Sequence, residues 1–421
     1  MTTHSESSVD YRRALEALRN GVPNGDAVRV MGCGQHEAEK RFADQLEGVT
    51  ANLEKNTQGL GLLVKGGFGT GKSHLLEHLE HQALSANFVC SRVVISKETP
   101  LHDPAKIYRA AVESAVVPGV TGEAIQEIAL GLQHNSREYA AFYQWCNQEV
   151  GRISTIFPAS LYLHERIRTD PELVEHITRF WAGEHLPIAR ARQGLKLAGG
   201  TAIYQLKAVP VRQLALERFL FIPRLILGAG YKGWVLLIDE VELIGRYSFL
   251  QRAKSYAELA RWLGRIEGEQ YPGLVTVAAI TDDFELAVLE EKGDRNILGS
   301  KLRDKGSQEY NIIAPRAEAG MRLIEREGLM LRSPEDDTLQ RTYEKLKTVH
   351  AKAYGWVPPD VASAELSTKR PIRSHVRRWI NEWDLKRLYP GTEVTTEEET
   401  LKPTYGEDVE MEKASEEDTQ E

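Results

Sequence analysis

The chain has almost no cysteine. Cys33, Cys90 and Cys146 are its three thiols in 421 residues, odd in number and widely scattered, with no C-x-x-C pair. That argues against a disulfide framework and against a cysteine zinc site. Long apolar runs are missing too: no stretch reaches the roughly 20 residues that a membrane-spanning helix needs. The opening Met1-Thr2-Thr3-His4-Ser5-Glu6 has no basic region followed by an apolar one, so nothing addresses the chain for secretion. These absences predict a cytoplasmic protein with no membrane partner. Gly-x-Ser-x-Gly and His-Glu-x-x-His are absent as well, which removes two common hydrolytic arrangements.

A strong charge of one sign is lacking in the body of the chain. The formal net charge is −8, but residues 391–421 hold twelve Asp/Glu against two Lys, a balance of −10, which leaves the rest close to +2. Bulk electrostatics therefore neither demands nor excludes nucleic acid. The tail itself is polar and acidic, and its composition predicts a disordered segment.

What is present is a phosphate loop. Gly66-Gly67-Phe68-Gly69-Thr70-Gly71-Lys72-Ser73 fits G-x-x-x-x-G-K-[ST], and the pattern sits between a short apolar strand (60–65) and a helix that continues through His74. Glycines let successive N–H groups turn inward around a polyphosphate, and the helix start adds its positive dipole end. Lys72 supplies a point charge for the β- and γ-phosphates, and the Ser73 hydroxyl is a ligand for Mg²⁺. The second half lies far downstream, where Gly233-Trp234-Val235-Leu236-Leu237-Ile238 reads as a doubly buried strand ending in Asp239-Glu240-Val241-Glu242. Carboxylates at the carboxyl end of a parallel strand face the crevice where α/β sheets bind ligands. Asp239 is expected to orient Mg²⁺ and Glu240 to polarise the attacking water on ATP.

At this length the chain is expected to hold two or three domains. Residues 1–58 read as a helical entry segment, with helices over 9–18 and 36–56 around a turn at Gly21-Val22-Pro23-Asn24-Gly25. Residues 59–314 read as a three-layer α/β core, its strands at 60–65, 88–95, 233–238 and 274–280, with a last one at Tyr310-Asn311-Ile312-Ile313. The 167 positions from Lys72 to Asp239 are far more than one crossover needs. A helical insertion at about 105–200 accounts for them, with helices over 105–116, 123–132, 136–150, 171–182 and 186–197. Residues 315–390 read as a helical lid (316–327, 335–353, 371–388) and 391–421 as the acidic tail.

These motifs, in this order, resemble an AAA+ P-loop ATPase of the origin-recognition type, and more closely the BrxC/BrxD ATP-binding family of BREX anti-phage systems. The resemblance rests on Leu15-Glu16-Ala17-Leu18-Arg19-Asn20-Gly21-Val22-Pro23, Gly32-Cys33-Gly34-Gln35-His36-Glu37, the loop ending in His74, and the long insertion. It implies a homo-oligomeric ATPase working beside a helicase or other defence proteins, with DNA contacted directly or through a partner. It also places Thr281 at the sensor position, Arg303 as an arginine finger presented in trans with Arg295 in reserve, and Arg373 as the second sensor arginine. The winged-helix domain that follows the lid in origin-recognition proteins has no counterpart here.

Other signals carry less. His74, His78 and His81 have helical metal-ligand spacing, but no further ligand completes a site. Lys369, Arg370, Arg373, Arg377, Arg378, Lys386 and Arg387 surround Trp379 and Trp383, yet these tryptophans recur with Ile372, Val376 and Ile380 at helical spacing and read as core. His36 and Glu37 stand where a base pocket wall is expected. Three readings stay open: an ATPase that remodels or loads a DNA-acting partner, an ATP-binding switch with little turnover, and a helicase-loader or transposition-regulator type of ATPase.

Overall fold

The computed structural model describes residues 7–22, 24–148, 152–167, 169–332, 336–360, 371–391, 404–408 and 410–411. Four predicted apolar runs form strands: β1 (Leu62–Lys65), β2 (Val89–Val94), β3 (Trp234–Asp239) and β4 (Leu274–Ile280). With β5 (Leu329–Met330) they make one sheet of order β2-β3-β4-β1-β5. Every pairing in it is parallel. Side chains alternate between two apolar layers: Leu63, Leu236, Ile238 and Ala278 enter one, and Leu62, Val64, Leu237 and Val277 the other. Burial on both faces is why these strands read as unbroken apolar runs rather than as alternating patterns.

Parallel strands need helical crossovers. α1 (Ser8–Asn20), α2 (Gly25–Met31) and α3 (His36–Glu54) precede β1, and α4 (Lys72–Ser85) links β1 to β2. Between β2 and β3 come α5 (Pro104–Glu113), α6 (Ala124–Leu130), α7 (Arg137–Gln148), α8 (Ile156–Arg166), α9 (Pro171–Ala182), α10 (Ile188–Leu197) and α11 (Val211–Gly228). α2, α8 and α11 lie outside the predicted helices; α11 keeps Pro223 inside it, a residue that normally signals a break. The insertion is no separate lobe. Tyr108, Phe157, Trp181, Phe219 and Phe221 join it through α5 and α11 to one continuous apolar cluster on the β3 face.

After β3 follow α12 (Phe249–Trp262), α13 (Asp294–Asp304) and α14 (Gln308–Arg322), and after β5 come α15 (Asp336–Tyr354) and α16 (Ile372–Leu388). The strand predicted at Tyr310–Ile313 is the first turn and a half of α14. The Ser307 hydroxyl caps it, accepting the Tyr310 N–H at 3.2 Å, and Ala314, Ala317 and Met321 recur on its buried face. The fifth strand is instead the two-residue β5, held by β1 at Val64 and Lys65. The expected boundary at 314/315 falls inside α14, which packs tightly on α12. Tyr11 and Leu15 of α1 share a third apolar cluster with Leu346, Val376, Trp379, Ile380 and Trp383 of α15 and α16. The entry helix and the C-terminal helices therefore pack as one unit.

Part of the acidic tail departs from the disorder predicted for it. Thr404–Asp408 lies against the core, with the Asp408 carboxylate accepting from Arg246 at 2.6 Å and the Asp408 N–H donating to the Arg246 carbonyl at 3.0 Å. Specific arginine pairing outweighs the mutual repulsion that composition alone suggests. Residues 392–403 and 412–421 are outside the described residues.

Gly320 of α14 touches the backbone of α12, and a methyl group there would run into the Tyr256 carbonyl. Gly320→Ala should cost about 1–3 kcal/mol as the helices separate. Urea unfolding at constant pH measures it.

Candidate nucleotide-binding site

The loop between β1 and α4 is shaped by two of its four glycines. Gly69 and Gly71 adopt φ of +77° and +102°, where side chains with a Cβ are strained. Gly66 is required by space instead, since a Cβ there would lie 2.6 Å from Thr70 Oγ1. Thr70 Oγ1 donates to the Gly67 carbonyl at 2.8 Å and closes the turn. α4 begins at Lys72, so its unpaired N–H groups open onto the loop. The Lys72 ammonium is folded back, donating to the carbonyl of Gly66 at 2.9 Å and of Gly67 at 3.5 Å. Phe68 is exposed at the tip. His74 binds the Gly32 carbonyl through Nε2 at 2.7 Å, and burial lowers its pKa. It thereby ties the loop helix to the Gly32–Glu37 box.

The register of the sheet delivers three carboxylates to this place. Asp239 ends β3, and its Oδ1 accepts the Glu240 N–H at 3.0 Å. Its Oδ2 accepts from Arg92 of β2 at 2.9 Å, and the same Arg92 nitrogen reaches the Ser73 carbonyl at 3.4 Å. Ser73 and Asp239 are thus neighbours across one guanidinium, which also pairs with Glu77 at 3.0 Å. Glu240 takes a left-handed backbone at φ +60°, a conformation costly for a residue other than Gly or Asn and typical of functional turns. Burial and the Asp239 charge raise its pKa. Glu242 lies in the 3-10 turn that follows, 6% exposed, with Oε1 3.7 Å from Lys72 Nζ. Its Oε2 is buried and has no hydrogen-bond partner among the described residues. Burial pushes the Glu242 carboxyl up to about 7, against the pull of Lys72. An orphaned buried oxygen among three crowded acids is a donor set that a cation fits.

Sequence reasoning missed Arg92 and Glu242. Arg92 stands in a strand and Glu242 in a turn, so no spacing rule marks either; their roles come from register and chain reversal. Other predicted residues divide. Thr281 follows β4, 2% exposed, and Gly66 N–H donates to the Ile280 carbonyl beside it at 3.2 Å. Arg373 is brought to the loop: its N–H donates to the Gly69 carbonyl at 3.4 Å and its guanidinium lies 5.8 Å from the Phe68 ring centre. Arg303 is on α13, its side chain half exposed and paired with Glu318 at 2.5 Å. Arg295 is held by Glu285, Glu290 and Glu325.

His36 and Glu37 face solvent, where His36 lies 3.5 Å from Glu39 and Glu37 pairs with Arg41. His74, His78 and His81 do not converge. His78 instead comes together with Cys33 and Glu39, their ligand atoms within 4.8 Å of one another. Burial and the Glu39 carboxylate raise the Cys33 pKa, so the thiol keeps its proton and donates it to Glu39 at 2.6 Å. Trp379 and Trp383 are core, as predicted. Of the basic residues around them, Lys386 pairs with Glu382 and Arg387 with Asp384, while Lys369 and Arg370 are outside the described residues.

A parallel sheet with a phosphate loop after its first strand, and acids at the end of the strand two places away, defines a P-loop-like α/β fold. The model of the family described as BREX system ATP-binding protein BrxC/D matches residues 7–130 and 212–296. The chain belongs to this BrxC/BrxD family. The match includes the loop, Arg92, the three carboxylates and Thr281, and leaves α7–α10 aside. No curated protein and no solved structure matches the chain significantly. Among the described residues no helix is long and apolar enough to cross a membrane.

Glu242 makes stability depend on pH. Its folded pKa lies above that of an unfolded glutamate, so the folded state holds the proton more tightly. Stability then falls as pH rises from the ordinary carboxyl range through about 7 and levels off above. Glu242→Gln removes that loss. Relative to wild type, the variant should gain up to roughly 3 kcal/mol between pH 5 and pH 8 in urea titrations.

Proposed function

We propose that the chain is a Mg²⁺-dependent ATPase of AAA+ type, acting as an oligomer on a DNA-acting partner in BREX defence. The observation that carries this reading is the convergence of four chain segments at one edge of the sheet. The loop after β1, the acids after β3, Thr281 after β4 and Arg373 at the start of α16 meet at the carboxyl edge of a sheet ordered β2-β3-β4-β1-β5. Such an arrangement surrounds a triphosphate with donors on one side and a base on the other.

In this reading Lys72 leaves the Gly66 carbonyl for the β- and γ-phosphates. The loop N–H groups and the first turn of α4 hold the remaining phosphate oxygens. Ser73 and Asp239 are the residues that would hold Mg²⁺, which when bound neutralises phosphate charge. Arg92 holds the Asp239 carboxylate in place. Glu240, its pKa raised by burial and by the Asp239 charge, is a stronger base toward water than a free carboxylate. Thr281 orients water or the γ-phosphate, and Arg373 adds positive charge over the loop. Arg303 has only an exposed ion pair to give up, which costs little, and so suits presentation to a neighbouring subunit. The family's place in BREX systems supports a partner among other defence proteins.

Lys72→Ala should abolish ATP binding in calorimetric titrations; retained affinity would overturn the loop's role. Glu240→Gln should bind ATP as wild type does while steady-state turnover falls about a hundredfold. Unchanged turnover removes Glu240 from its role.

A further inference from the structure

One contact of the site comes from an unexpected quarter. The Tyr405 hydroxyl, from the acidic tail, lies 2.8 Å from Thr281 Oγ1 and donates to Asp283 Oδ1 at 2.8 Å. The ring stands edge-on to Phe284 at 6.0 Å. Gly245 makes room for it, since a Cβ there would come 2.8 Å from the ring. Downstream, Glu407 accepts from Arg252 at 2.7 Å, Asp408 pairs with Arg246, Glu410 lies 3.6 Å from Lys97, and Met411 is buried. An aromatic anchor in a fitted pocket followed by acids on arginines is how peptide-binding grooves are built.

The protons in this contact can be counted. A carboxylate only accepts, so the single Tyr405 proton is committed to Asp283. Burial raises the Tyr405 pKa, which keeps that proton in place. The Thr281 hydrogen must then point at the Tyr405 oxygen. What Thr281 has left is lone pairs, and phosphate oxygens are acceptors too.

We propose that Gly245, Arg246, Arg252, Asp283 and Phe284 form a binding site for a tyrosine-bearing acidic peptide, occupied by the chain's own residues 404–408, with 410 and 411 beyond them. Its occupant withholds the Thr281 proton from the γ-phosphate. The strap is an inhibitory ligand of the nucleotide site, and a partner that removes it switches Thr281 to a donor. The second part rests on the ATP reading above; the first does not.

Two measurements on the full chain test this. Hydrogen exchange of residues 404–408 judges the groove alone. The Asp408 amide, which donates to Arg246, should exchange at least about ten times more slowly in wild type than in Tyr405→Ala. Equal, unprotected exchange in both overturns the site. Tyr405→Phe keeps the ring but frees the Thr281 proton. It should raise affinity for a non-hydrolysable ATP analogue about tenfold while leaving ADP affinity unchanged, as one added charge-assisted hydrogen bond implies. In a Thr281→Val background the same change should do nothing. An unchanged ratio of ATP-analogue to ADP affinity, or a rise that survives Thr281→Val, overturns the withholding. Absence of nucleotide binding in every form sinks the ATP reading and the withholding with it, and leaves the groove to be judged by exchange.

Discussion

Three carboxylates packed into one strand end, with a lysine and an arginine as their counterweights, set the terms for the rest of this molecule. Removing charge from water costs several kcal/mol per ion unless a partner is at hand. Asp239 has two partners, the Arg92 guanidinium and the Glu240 N–H. Glu240 escapes through a backbone turn that few side chains adopt. Glu242 has Lys72 as its cationic partner among the described residues, at a distance where attraction does not repay burial. Lys72 in turn satisfies itself on loop carbonyls. The arrangement is a set of half-met obligations that a polyanion with its counter-ion would complete.

Much of this is legible in the sequence. The four long strands announce themselves because both faces are apolar, and the loop because its glycines and Gly-Lys-Ser sit between a strand and a helix. What stayed hidden depends on register. Nothing local says that Arg92 of β2 lies beside Asp239, which is a consequence of Val94 pairing with Asp239 across the sheet. Nothing local separates Glu242 from an ordinary surface acid. Tyr310-Asn311-Ile312-Ile313 has strand composition, but a serine cap and a buried face downstream override it. β5 has no sequence signature at two residues. In the tail, composition describes an average, whereas Tyr405, Glu407 and Asp408 act as individuals on specific partners.

The helices between β2 and β3 add a separate lesson. The family match stops at residue 130 and resumes at 212, yet α7–α10 share the apolar cluster that covers the sheet. Trp181 donates to Ser160 at 2.8 Å deep within it, and the Phe221 ring packs at a tilt against both Phe157 and Trp181. The portion that the family model does not match is therefore built into the core through α11, while the elements bearing the loop and acids lie in the matched segments.

The two ends of the chain meet. Arg12 donates to the Ala353 carbonyl at 2.9 Å, Arg19 pairs with Asp384, and the space beside Gly21 at the end of α1 is filled by the Arg373 guanidinium. α15 and α16 thus share one packed unit with α1, and Arg373 links that unit to Gly69. Whatever displaces the opening helix is therefore felt at Gly69, in a loop some fifty positions further along the chain.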